Sequence, residues 1–152
     1  MELDLTWEYV ADTVMGGVSR GRIADEVIAG RRATRLTGDV SLDNDGGFIQ
    51  MASDLPRDGG GFAGLEVDLI GNGEAYDLRL RTTDLTRPWQ SYRTEVIAAA
   101  DWTTHRIAFA DFEAHRTDAP FDPAHLRRIG IVAVGRAFHA DVAVAAVRFR
   151  RG

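Results

Sequence analysis

The run "GLEVDLIGNGEAYDLRLRT", residues 64–82, decides how this chain folds. Its first half places Leu65, Val67 and Leu69 on one side and Glu66 and Asp68 on the other. Its second half repeats the pattern, with Tyr76, Leu78 and Leu80 against Asp77, Arg79 and Arg81. A period of two is the signature of a strand with one face buried. Between the halves, Gly71-Asn72-Gly73 supplies residues that tolerate positive φ, which predicts a hairpin turn.

The same reading extends outward. "YRTEVIAA" (92–99), "THRIAFADF" (104–112) and "VAVAAVRFR" (142–150) read as further strands. "RIGIVAVG" (128–135) is apolar without alternation, as in a strand covered on both sides. Asp45-Gly46, following Asn44, predicts another hairpin. One short helical turn is expected near 123–127, where Asp122 can cap and Pro123 suits the first helical position. Nine or ten short strands with glycine-rich turns predict an all-β, antiparallel two-sheet sandwich, its sheets roughly 10 Å apart. Trp7, Phe48, Phe62, Phe109, Phe138 and Phe149 are expected mostly to fill the space between them.

The 152 residues are expected to form a single domain spanning 1–152. With no cysteine, disulfides, thiolate metal sites and thiol nucleophiles are excluded. All 18 basic residues are arginine, and the net charge of −5 argues against nucleic acid as a partner. No apolar run approaches the roughly 20 residues that cross a bilayer. The opening "MELDLTWEYV" is acidic and lacks the order of a signal peptide, so a cytoplasmic protein that does not span a membrane is expected.

His105, His115, His125 and His139 lie at no metal-ligand spacing, and neither G-x-S-x-G nor H-E-x-x-H occurs. Hence no catalytic residue, metal ligand or cofactor is assigned, and no enzyme is expected. "SLDNDGGF" (41–48) carries Asp43, Asn44 and Asp45, oxygen ligands of the kind calcium takes, but the spacing favours the turn. If their strands are neighbours, Glu66, Asp68, Asp77, Arg79 and Arg81 share one charged face. With Trp89 and Tyr92 beside it, that face is a platform for a carbohydrate or small polar ligand, or simply a solvated surface.

"DTVMGGVSRG" (12–21) interrupts an apolar run with Gly16 and Gly17. Adjacent glycines free the backbone or let another segment pass closely. Asp12 can accept bonds from following amides, and Met15 is an adaptable filler or an exposed contact.

Taken with Trp7, this stretch resembles the signature of the complex I intermediate-associated protein 30 family. The resemblance continues through Gly38-Asp39-Val40-Ser41, Asn44-Asp45-Gly46-Gly47-Phe48, Gly71-Asn72-Gly73, Tyr76, Arg81, Trp89-Gln90-Ser91-Tyr92, Trp102, Phe109, Phe112, Ile129-Gly130-Ile131 and Phe138. Ala108 stands where the family usually has proline. The resemblance implies a galactose-binding-like jelly roll similar to some carbohydrate-binding modules. It also implies a non-catalytic assembly factor or chaperone whose partners are respiratory complex I (NADH dehydrogenase) subunits or intermediates, or a related client. On that reading Asp12, Met15, Gly16, Gly17 and Ser19 form or support a contact loop, with Arg81, Trp89 and Tyr92 as neighbours.

Overall fold

The computed structural model describes residues 2–152; Met1 and the side chains of Val14, Met15 and Asp45 lie outside the description. The strands are β1 (Glu8–Ala11), β2 (Arg20–Ile28), β3 (Arg31–Val40), β4 (Phe48–Asp54), β5 (Gly64–Gly71) and β6 (Ala75–Thr82). They continue with β7 (Ser91–Ile97), β8 (Thr103–Ala108), β9 (Glu113–His115), β10 (Leu126–Val134) and β11 (Phe138–Arg150). They form a six-stranded sheet, β1-β4-β10-β6-β7-β9, and a five-stranded sheet, β2-β3-β11-β5-β8. Every pairing is antiparallel.

The alternating runs sit as expected. Leu65, Val67 and Leu69 of β5 and Tyr76, Leu78 and Leu80 of β6 are all buried, together with Ile129 and Ile131 of β10. Each such aliphatic side chain contributes roughly 1.5–3 kcal/mol by leaving water. Central β10 is covered on both sides: Val132, on the face turned away from the core, is buried as well. Phe109 and Phe149 are core residues, and Phe62 stacks on Phe149 at 5.1 Å. Trp7, Phe62 and Phe138 are partly buried against the core. Phe48 departs from expectation. It pairs with Val134 on the outer side of its strand, whereas its neighbour Ile49 is buried in the core.

The two expected hairpins are corners instead. Gly71–Gly73 carries the chain from β5 in one sheet to β6 in the other, and residues 41–47 carry it from β3 to β4. Positive φ at Gly73 (81°) reverses the chain, but sheet membership is chosen by packing. The amides of Gly71 and Gly73 donate to Ala99 O and Ala98 O of the next crossing. A Cβ on Gly71 would lie 2.5 Å from Ala98 Cβ, so the close approach itself demands glycine. A tight hairpin does form where none was expected: it joins β2 to β3 through Ala29 (φ 46°) and Gly30 (φ 82°), the positive φ pair of a type I′ turn.

Because β5 and β6 are in different sheets, Glu66 and Asp68 lie on the opposite outer face from Asp77, Arg79 and Arg81. The expected shared face does not exist. Asp68 is instead saturated within its own sheet. It accepts from Arg148 Nη1 and Nη2, Arg31 Nη2 and Thr104 Oγ1 at 2.6–3.0 Å. The helical turn at 123–127 is a three-residue 3-10 turn, Pro123–His125, with Asp122 capping the Ala124 amide at 2.9 Å. Three more 3-10 turns occur at Asp12–Met15, Asp43–Asp45 and Phe109–Asp111. No helix among the described residues is long and apolar enough to cross a membrane.

Candidate functional site

The stretch after β1 forms a clamped corner. The 3-10 turn Asp12–Met15 ends at Gly16, whose φ of 86° is left-handed, and the Gly17 amide donates to Asp12 O at 2.9 Å. The Asp12 carboxylate is fully buried. Its Oδ1 accepts the Ser19 amide at 3.1 Å, and its Oδ2 accepts the Ser19 hydroxyl at 2.5 Å and the Gly47 and Phe48 amides at 2.6 and 3.2 Å. The Ser41 amide in turn donates to Ser19 Oγ at 2.8 Å. Burial alone would push the Asp12 carboxyl up. Donors from Ser19, Gly47 and Phe48 outweigh it and hold the group below the usual carboxylate range.

The glycines of this corner make room for that carboxylate. A Cβ at Gly17 would come within 2.4 Å of Asp12 Cγ, and one at Gly46 within 2.5 Å of Asp12 Oδ2. Asp12, Gly17 and Ser19 are therefore internal supports of the loop. The side chain of Met15 lies outside the described residues. Beside exposed Thr13, Asp43 and Asn44, the described part of the corner shows two large apolar side chains to solvent, Val18 (42% exposed) and Leu42 (51% exposed), next to the two serines that bridge the strands. Neither residue was singled out by sequence; an apolar residue beside each bridging serine was the only signal.

Arg81, Trp89 and Tyr92 are not neighbours of this corner. The corner adjoins the Phe48–Val134 end of the β4–β10 pair, and Arg81 pairs with Arg128 near the other end. Six residues of β10 separate Arg128 from Val134, about 20 Å. Tyr92 is 1% exposed: its ring stacks on Phe121 at 4.8 Å and its hydroxyl donates to Ala119 O at 2.8 Å. It is a core residue, because it alternates with Ser91 and Arg93 and takes the inward positions of β7. Burial pushes its phenol up. Trp89 remains outside, 53% exposed, with the Arg87 guanidinium 5.9 Å from its ring centre.

Among the described residues, Arg81 donates to main-chain acceptors alone. Nε donates to Gln90 O at 3.1 Å and Nη2 to Arg87 O at 2.9 Å, which pins the loop carrying Trp89. Burial, then the nearby Arg127 and Arg128, lower its pKa. Arg128 itself is bound by Glu8 and by Asp54. Next along the same outer face, Arg79 and Arg93 are cross-strand partners that share one carboxylate, Asp77, at 2.9 and 3.7 Å. Ser91 pairs with His115 of edge strand β9.

Among the described residues no cluster of histidine and carboxylate groups could hold a metal ion; Asp45 falls outside them. His125 contacts Asp84 and Asp122 on the surface, and His139 contacts Asp39. A groove of about 450 Å³ opens between residues 2–7 and the β2–β3 hairpin, lined by Leu3, Leu5, Trp7, Asp25, Glu26 and Val27. Of the residues singled out by sequence, Trp7 lines it, and none of the candidate binding residues does.

The model of the complex I intermediate-associated protein 30 family matches residues 2–142. No curated protein matches the chain. Among solved structures, a family 11 carbohydrate-binding module of a Clostridium thermocellum cellulosomal cellulase is similar over 98% of this chain and 89% of its own, with a TM-score of 0.80 at 11% identity. A family 11 module from Clostridium thermocellum in complex with a β-1,3-1,4-mixed-linked tetrasaccharide gives 0.79 at 10% identity, covering 99% and 96%. A family 30 module from a cellulosomal cellulase of that organism gives 0.67 at 16%, covering 99% and 93%. At these identities the likeness establishes a jelly-roll sandwich and nothing about ligands.

Proposed function

The chain belongs to the complex I intermediate-associated protein 30 family, and from that membership we propose that it is a non-catalytic protein-binding module, an assembly factor or chaperone for respiratory complex I or a related client. One observation carries the reading. The family-signature corner is locked by a buried, fully hydrogen-bonded carboxylate and presents two exposed apolar side chains, Val18 and Leu42. A rigid loop loses little entropy on docking, and apolar side chains held in place by it favour a protein partner over water. Asp12, Gly16, Gly17 and Ser19 act as supports, and the module works in the cytoplasm as one domain.

The test is capture of complex I subunits or assembly intermediates from native lysate by the tagged protein, compared with V18D/L42D. The double variant should keep its melting temperature and lose capture. Recovery of no complex I component, or equal recovery by both proteins, would overturn the reading.

A second reading, a carbohydrate site, is favoured by the exposed ring of Trp89 beside Arg87. Such a ring can stack on a sugar face. A glycan array gives binders that W89A loses if this reading holds, and no binders if it does not.

A further inference from the structure

Ser91 is 4% exposed, and its hydroxyl oxygen has no hydrogen-bond partner among the described residues. A hydroxyl can both donate and accept, so leaving it alone in a closed position is unfavourable unless something else completes it. The position is on the outer face of the six-stranded sheet: Tyr92 and Val96 point into the core, and Ser91, Arg93 and Glu95 alternate with them. One residue beyond the Leu80–Tyr92 pair, Arg81 and Ser91 leave adjacent strands on that same side. On its other side Ser91 is in register with His115.

Arg81 is incomplete in a complementary way. A guanidinium has five N–H donors. Two are given to the Gln90 and Arg87 carbonyls, and among the described residues no carboxylate pairs with it. Anchored at two points, the group is held in one orientation, and its Nη1 is not engaged by either carbonyl. By contrast, Arg79 and Arg93 have Asp77, and Arg128 has Glu8 and Asp54. What the Arg81–Ser91 pair lacks is an acceptor carrying negative charge.

We propose that the row Arg81–Ser91–His115 is a binding site for a small ligand bearing one oxyanion group, a phosphate monoester or a carboxylate. Arg81 supplies charge-assisted donors from Nη1, Ser91 supplies its hydroxyl proton, and the His115 imidazole closes the far side. Arg79, Arg93 and Arg116 stand around the row, with Asp77, shared by Arg79 and Arg93, and the exposed Glu113 among them. This inference is independent of the protein-docking reading, because the row sits at the other end of β10 from Val18 and Leu42.

His115 is the natural reporter. Burial, and then Arg93, Arg79 and Arg116, keep its pKa below the ordinary imidazole value, with Asp77 acting the other way. A bound anion would oppose those three cations and raise it.

The experiment follows the His115 ring signals of the intact protein by NMR during titration with inorganic phosphate, and separately with acetate, at constant ionic strength maintained with chloride. A saturable shift with a rise in the His115 pKa is expected. A response to phosphate alone identifies the phosphate class, and one to acetate alone the carboxylate class. R81Q should weaken binding about tenfold or more, the scale of a hydrogen bond to a charged group. Since R81Q also frees the Trp89 loop, S91A is the second variant. It should fold at least as well as the parent yet bind several-fold more weakly, and V18D/L42D should bind like the parent. No saturable shift with either anion, or unchanged affinity in both R81Q and S91A, would overturn the proposal.

Discussion

Two polar clusters in this molecule face the same problem and solve it differently. At the corner after β1, one carboxylate is removed from water and given four donors, so that every lone pair in use has a partner. Toward the other end of the same sheet, on its outer face, Ser91 is removed from water and given none among the described residues, beside an arginine whose described acceptors are carbonyls. The saturated cluster has no capacity left for a ligand and serves as scaffold. The unsaturated one carries a standing cost within the fold, which a ligand would offset. Satisfaction of buried polar groups, more than residue type, distinguishes the scaffold from the proposed site.

The comparison breaks most visibly at Asp12. D12N replaces an acceptor-only group by one whose amide must face other donors, and should destabilise the protein by about 3 kcal/mol. For a chain of this size that lowers the melting temperature by about 6–12 °C in a thermal scan followed by circular dichroism. If D12N melts within a degree or two of the parent, the corner is not a scaffold.

Asp68 extends the test to a second saturated carboxylate. Arg148, and with it Thr104 and Arg31, holds this carboxyl well below the usual range despite its burial, as the corner does for Asp12. Both groups are depressed in the folded state. Their contribution is therefore complete above the unfolded value of 3.8 and is lost as pH falls through the lower folded values, because the unfolded chain takes up protons first. Melting temperature should hold steady from neutral pH to about pH 5 and fall progressively below pH 4. D68N should cost about 1–2 kcal/mol at neutral pH, moderated because Arg31 and Arg148 are partly solvated, and should make the acid decline shallower.

The smallest effect is the most discriminating. Ser19 and Ser91 are both buried serines, and the same truncation should move them in opposite directions. S19A removes a hydroxyl that donates to Asp12 and accepts from the Ser41 amide, and should cost about 1–2 kcal/mol. S91A removes a hydroxyl with no partner, and should raise stability by up to about 1 kcal/mol in chemical denaturation. Equal signs would erase the distinction drawn between the two clusters.

Much of this was legible in the chain, and the reason is local. Alternation at residues 65–69 and 76–80 correctly assigned both strands and their core faces, because side-chain direction in a strand depends on backbone geometry alone. The Asp122–Pro123 cap was readable for the same reason. Asp12 was rightly seen as an acceptor of amides, and Ser19 supplies two of its donors from seven residues on, but the other two, Gly47 and Phe48, lie 35 and 36 residues away. Nothing in a linear reading brings them near. Glycine-rich turns marked where the chain reverses and not which sheet it enters, which is why 44–46 and 71–73 were read as hairpins. Ala29-Gly30 was overlooked because alanine rarely occupies left-handed φ. Tyr92 was placed on the surface with Trp89, although one step of strand parity puts it inside. Ser91 and His115 carried no motif; only pairing between strands makes them neighbours.

The position of the last two strands has a consequence for synthesis. β10 lies between β4 and β6 at the heart of one sheet, and β11 lies between β3 and β5 at the heart of the other. Until residues 126–150 leave the ribosome, each layer exists only as two pieces with nothing to join them. Within either layer, the β2–β3 and β6–β7 pairs are the ones that can form from consecutive strands. Before residues 126–150 emerge, β5 can pair with β8 and β6 with β7, and the other edge of each, with its row of backbone donors and acceptors, stays open. Closure of both layers waits for β10 and β11, whose pairings with β4 and β3 join residues far apart in the sequence and are slow contacts to make.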